Sequence, residues 1–208
     1  MTSTLSTPES PVTTTAPAAT ATTAPATATS THEHHTAPAT TLQPPTPAEF
    51  RDVLRTVPTP LVAAASLIDG VPIGMVVGSF VGISLDPPIV SASLQATSGT
   101  WPVLRRADSL GITILTEEYA DLVYQLAGPA TQRFDNISWS TRGDAVVLDG
   151  AGAQLTAHIE EEITAGDHII ALLRVDHASH VDTTSNPLIT HASRISTVTS
   201  SNGEGERG

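Results

Sequence analysis

The sequence predicts a mainly β domain, an antiparallel barrel with a few short helices. Short apolar segments with alternating polar faces recur from residue 61 to residue 181, and turn pairs such as Asp69-Gly70 stand between them. Helical spacing is confined to brief stretches. With 208 residues, the chain has room for one such domain and a tail.

Residues 1–45 are Thr, Ala, Pro and Ser with almost no bulky apolar side chain. Such a segment buries too little surface to offset its ordering entropy, so a disordered tail is expected. Its His32, Glu33, His34 and His35 read as a solvated tract more readily than as a specific metal site. Residues 199–208 read as a second disordered end, which leaves 46–198 as the folded domain.

That domain opens with Thr46-Pro47-Ala48-Glu49, a capping box with proline in the first turn. Phe50, Val53, Leu54 and Val57 then share one face, and a core-packing helix is expected. LVAAASLI (61–68) reads as a buried strand, Asp69-Gly70 as a hairpin turn and VPIGMVVGSF (71–80) as the returning strand. Leu85-Asp86-Pro87-Pro88 is a strand stop, after which IVSASL (89–94) supplies a third strand. TWPVLRRA and EEYADLVYQLAG carry helical patterns on either side of the apolar strand LGITIL (110–115). Two long strands, 153–163 and 168–181, are joined by Ala165-Gly166-Asp167.

Composition narrows the function. The net charge of −12, from 9 Lys and Arg against 21 Asp and Glu, argues against nucleic acid or an anionic membrane as partner. The chain contains no cysteine, so disulfides, zinc-thiolate sites and cysteine nucleophiles are excluded. No apolar run is long enough to span a bilayer, and the N-terminus lacks the order of a secretory signal, so a cytoplasmic protein is expected. There is no P-loop and no GxGxxG following a strand.

The segment GMVVGSFVGISLDPPIVSASL (74–94) holds no pair of residues suited to acid–base or nucleophilic chemistry. Its small residues Gly78, Ser79, Gly82 and Ser84 admit two readings: punctuation between strands, or a backbone platform that a flat ligand approaches closely. The order of motifs weighs on that choice. GM, SF and ISLDPP are followed by Ser98-Gly99-Thr100, then Gln132-Arg133-Phe134, then Gly166-Asp167-His168, then His191 and Arg194. Over residues 48–197 this series resembles the flavin reductase family.

The resemblance implies an FMN-binding split barrel that forms homodimers. It implies reduction of FMN, or FAD, by NADH or NADPH, often to supply a partner monooxygenase. By the same resemblance the flavin ring lies against Val76, Val77, Gly78, Ser79, Phe80, Gly82, Ile83 and Ser84, and its phosphate meets Ser98, Gly99 and Thr100. Locally that last stretch is equally an ordinary helix cap. His168 is implied to face the nicotinamide, though a lone histidine at a strand start is as readily structural. Arg133, His191 and Arg194 are implied to lie near the cofactor, with loop packing or plain surface exposure as the alternatives. Val76, Val77 and Gly78 replace the TAN common in relatives, Gly82 replaces a serine, and Ile195 replaces a terminal aromatic. A flavin-binding protein without reductase activity, or an interaction barrel, therefore stays open beside the reductase.

Overall fold

The structure is a computed structural model that describes residues 43–180 and 185–198. The expected disorder of the two ends falls almost wholly, and the His32–His35 tract entirely, outside the described residues. Strand β1 (Thr59–Pro60) leads into the hairpin of β2 (Val62–Ile68) and β3 (Val71–Val77), and a second hairpin follows in β4 (Val81–Leu85) and β5 (Pro88–Gln95). Next come β6 (Leu110–Ile114), β7 (Trp139–Arg142) and β8 (Ala145–Leu148). The long β9 (Ala153–Ala165) and β10 (His168–His180) form a third hairpin, and β11 (Leu188–His191) with β12 (Arg194–Thr197) forms the last. Helices are α1 (Pro47–Leu54), α2 (Trp101–Leu104) and α3 (Ala120–Leu126), with 3-10 turns at Glu117–Tyr119 and Ala130–Gln132.

All strand pairs are antiparallel, and nine strands form one sheet whose main path is β4-β5-β10-β9-β6-β2-β8-β7, with β3 paired to β2. The architecture is the expected mainly β split barrel. Its split falls between β3 and β5, where no ladder forms; the Ser79 side chain bridges it instead. Ser79 donates its hydroxyl proton to the Ser93 carbonyl (2.7 Å) and accepts the Ser93 N–H (2.9 Å), which gives both main-chain groups partners on the side of β5 away from β10, where no strand pairs with Ser93.

The run LVAAA is apolar at every position because β2 is covered on both faces, and successive side chains of a strand point to opposite sides. Val62 and Ala64 join one buried cluster with Leu94, Trp101, Leu104, Ile112 and Leu173. Leu61 and Ala63 join the other with Leu115, Tyr119, Val123, Leu126 and Leu148. Buried Ser66 marks the point where β2 leaves β6 for β8: it pairs with Ala145 and donates to the Asp144 carbonyl (2.9 Å). Gly111 on β6 lets β8 pass, since a Cβ there would sit 2.0 Å from the Val146 carbonyl oxygen.

Several expectations need correction. Helix α1 has its capping box, with Thr46 and Glu49 bonded reciprocally, yet it buries no residue in the single chain. Phe50, Val53, Leu54 and Val57 are each at least half exposed. Periodicity identifies the apolar face but not what covers it. The returning strand stops at Val77 and not at Phe80, and residues 81–85 form a strand of their own. The prolines end β4 as expected, but they make the β4–β5 reversal in which Leu85 pairs with Pro88. The helical stretch after Thr100 contracts to the four residues of α2.

Candidate functional site

A cleft of about 360 Å³ opens at the split. Met75, Val76, Val77, Gly78 and Ser79 form one wall, Ser93, Leu94 and Gln95 the other, and Ser98 and His168 complete the lining next to Gln95. Gly166, at φ 62°, makes the tight β9–β10 turn, and the register of β10 on β5 sets His168 opposite Gln95. A turn remote in sequence thereby reaches the 76–79 wall.

The His168 side chain is 37% exposed, and its Nδ1 lies 2.8 Å from the Asp167 carboxylate. A carboxylate only accepts, so Nδ1–H is the donor and Nε2 is the nitrogen left for a ligand. That hydrogen bond and the neighbouring imidazole charge hold the Asp167 carboxyl below its ordinary value of 3.8.

The turn after β5 is built around Ser98. Its Oγ accepts the N–H groups of Thr100 (3.3 Å) and Trp101 (3.1 Å), so Ser98 satisfies the first amide of α2, while Thr100, the N-cap residue, makes no side-chain cap bond. Those two amides are occupied and unavailable to a phosphate; the hydroxyl protons of Ser98 and Thr100 and the Gly99 N–H are the donors the turn retains. Gly99 is exposed, with nothing within 4 Å of a Cβ placed on it.

Arg133 does not line the cleft but brackets it from behind. Its Nε donates to the Gly128 carbonyl (2.8 Å), and its Nη1 donates to the Gly74 carbonyl (2.6 Å) and to Thr100 Oγ1 (2.9 Å). Phe134 lies against Gly74, where a Cβ would meet the ring at 2.7 Å. GM and QRF, distant in sequence, thus dock onto each other. Gln125 on α3 fixes the loop by donating to the carbonyls of Gln132, Arg133 and Asp135.

The remaining sequence candidates lie elsewhere in the single chain. Phe80 packs against the first core cluster, and Gly82, Ile83 and Ser84 sit on β4, the edge strand, outside the cleft lining. The break at residues 78–80 separates them from the wall, which a reading of 71–80 as one strand does not foresee. His191 and Arg194 are exposed partners across the β11–β12 turn, beside a groove against α1. Their spacing is that of a two-residue turn: Ala192 and Ser193 between them both have positive φ. Met75, Ser93, Leu94 and Gln95 were missed. Alternation along β5 puts Ser93 and Gln95 on one face, but only the long-range register shows that this face meets His168.

Among the described residues, no cluster of three or more His, Cys, Asp or Glu side chains could hold a metal, and no helix is long and apolar enough to cross a membrane. The chemistry of the lining suits a flat, polar-edged cofactor: main chain and small side chains along the wall, with hydroxyl donors and an imidazole beside them.

Comparison with known proteins bears on the family and the fold. Over 143 residues the chain is 33% identical to the actinorhodin polyketide dimerase of Streptomyces coelicolor, covering 67% of this chain and 80% of that one. It is 30% identical over 154 residues to the reductase component of a 4-nitrophenol 4-monooxygenase/4-nitrocatechol 2-monooxygenase from Rhodococcus opacus, covering 74% and 82%. The NADH:FAD oxidoreductase of Streptomyces globisporus, solved with NAD and FAD fragments, shares the fold with a TM-score of 0.67 to 0.68 at 22–23% identity; in the complex 74% of this chain and 94% of that chain superpose. The family model described as "Flavin reductase like domain" matches residues 54–199, and the chain belongs to that family.

Proposed function

We propose that the chain is an NAD(P)H:flavin oxidoreductase that reduces FMN or FAD and supplies it to a flavin-dependent monooxygenase. One observation carries the reading: the split between β3 and β5 gathers the Val76–Ser79 wall, Ser98 and His168 around a single cleft. A bound flavin supplies the redox centre that accepts a hydride equivalent from the reduced nicotinamide. The chain positions and excludes. Main-chain groups of the wall hold the ring's polar edge, and Met75, Val76, Val77 and Leu94 keep water from it. His168 presents Nε2 to the nicotinamide amide, with Asp167 fixing the ring's orientation. The hydroxyls of Ser98 and Thr100 meet the flavin phosphate.

The test is steady-state oxidation of NADH and NADPH with FMN, FAD and riboflavin in turn. Oxidation that saturates with added flavin is expected; flavin binding without nicotinamide oxidation would sink the reductase reading. We also propose that the domain, residues 46–198, works as a homodimer without the tail. The apolar face of α1 and the exposed Val81, Ile83 and Leu85 of edge strand β4 support burial against a second copy. A monomeric, fully active domain in sedimentation would contradict this. A cytoplasmic location, where reduced nicotinamide is available, accompanies the reading.

A further inference from the structure

We propose that Arg133 is a positioning residue that acts through Thr100, making the cleft discriminate a phosphorylated flavin from an unphosphorylated one. The proposal rests on the flavin reading above and deepens it.

The argument follows the direction of the hydrogen bonds. A guanidinium only donates, so the 2.9 Å contact from Arg133 Nη1 makes Thr100 Oγ1 the acceptor. A hydroxyl engaged as acceptor keeps its proton to donate, and no protein acceptor for the Thr100 proton is present among the described residues. Ser98 is biased the same way, since its Oγ accepts two main-chain N–H groups. Two half-buried hydroxyls, two residues apart, are thus both left as donors beside the cleft that Ser98 lines. Ser79 contrasts with them: its hydroxyl both donates and accepts within the protein. Paired donors recognise a group rich in acceptor oxygens, and donation from the guanidinium strengthens the donor character of Thr100. Of the parts of a flavin nucleotide, the phosphate fits paired donors best: the ring edge offers neutral carbonyl and nitrogen acceptors, whereas the phosphate offers several anionic oxygens on one atom.

The geometry also explains why arginine stands at this position. Three acceptors on three separate segments, Gly128, Gly74 and Thr100, are reached by one planar fork. The Arg133 main chain is itself held by Gln125. The direction of the Thr100 hydroxyl is therefore set from β3 and the loop after α3, segments remote in sequence from the Ser98–Thr100 turn.

The experiment uses the full chain and equilibrium titration of FMN and of riboflavin, read by flavin fluorescence, with thermal melts as a check on folding. Thr100→Val removes the hydroxyl and keeps the branched shape. It should weaken FMN about ten- to a hundredfold, the range for a hydrogen bond to a charged group, and leave riboflavin little changed. Thr100→Ser should restore FMN binding. Arg133→Ala should lose FMN selectively as well, and adding it to Thr100→Val should cost little more, because both break one chain of donors. If Arg133→Ala does not fold, Arg133→Lys, which keeps the charge but not the three-way fork, takes its place, with the same selective loss of FMN expected. Equal loss of both ligands would mean that the residues are merely structural, and unchanged FMN affinity would exclude a role for the hydroxyl; either overturns the proposal. Wild-type protein that prefers FMN without oxidising NADH would defeat the reductase reading and leave this one standing. Equal wild-type affinity for the two flavins, with normal NADH oxidation, would do the reverse. Failure to bind either flavin would overturn both.

Discussion

Gly74 and Gly78 stand four residues apart in one apolar stretch, and the structure treats them oppositely. A Cβ on Gly74 would lie 2.7 Å from both Ala65 Cβ and the Phe134 ring, and 2.9 Å from the Ala64 carbonyl. A Cβ on Gly78 would meet nothing closer than Thr59 Oγ1 at 3.7 Å. Neither glycine needs its freedom for a left-handed backbone, since both lie outside the positive-φ group. The first half of β3 is thus tightly packed where the Arg133–Phe134 loop docks, and Val77 at its end is still core, whereas Gly78 just past the strand has room around it on the cleft wall. Two glycines that look alike in sequence do different work.

The largest expected effect breaks this comparison directly. Gly74→Ala should destabilise the fold by about 1–3 kcal/mol, the usual cost of overpacking a tight site, and should weaken flavin binding and turnover together as the Arg133 loop shifts. Gly78→Ala should change stability by less than about 0.5 kcal/mol. Urea unfolding of both variants checks the pair. Equal destabilisation would mean that the wall is as tightly packed as the docking site.

Ser79→Ala sharpens the same boundary from the other side of the break. It leaves the Ser93 N–H and carbonyl without their partner on β5, at a cost of about 1 kcal/mol, since water in the cleft replaces part of what is lost. The two walls then drift, so flavin affinity should fall more than stability does. A stability loss with flavin affinity unchanged would show that the bridge does not shape the cleft.

How far the sequence disclosed all this depends on the range of the interaction concerned. The Thr46–Glu49 box, the Asp69-Gly70 turn and the Gly166 turn act over a few residues, and each appears where local chemistry places it. The long strands β9 and β10 were readable for the same reason. What was not readable depends on partners far along the chain. AVVL at 145–148 is a fully buried strand, but so short a run has no period of its own until β2 and β7 flank it. The face of α1 was identified correctly, while its exposure depends on what lies beside it. The site divides likewise: His168 and the 76–79 wall follow from motif order, whereas Ser93 and Gln95 need the register of β10. The reach of Arg133 to Gly74, across 59 residues, has no local signal.

Next in size is His168→Ala, which tests the imidazole that lines the cleft. Loss of one neutral hydrogen bond should cost about 0.5–1.5 kcal/mol, or roughly three- to tenfold in kcat/KM for the nicotinamide, with flavin affinity nearly unchanged. The expected profile is opposite to that of Thr100→Val, which acts on FMN. A His168 variant that binds FMN poorly would place the two cofactors the other way round.

The smallest effect belongs to Asp167, whose fully exposed carboxyl holds the His168 ring across a turn. Its value is lowered below 3.8, first by the hydrogen bond from His168 and then by the imidazole charge. A depressed value in the folded state means that the unfolded chain binds the proton more readily. The carboxylate's contribution to stability is therefore present above the ordinary aspartate range and lost as pH falls through the lowered value. Asp167→Asn removes the charge at every pH, so wild type and variant should differ slightly at pH 6 and converge once the wild-type carboxyl is protonated. Salt should shrink the difference at pH 6, because the pair is open to solvent. Urea midpoints at pH 6 and at acid pH, each at low and high salt, measure it. A difference that persists unchanged into acid would show that the carboxylate charge is not what holds the turn, and that the Asn side chain itself disturbs the approach of His168 to the cleft.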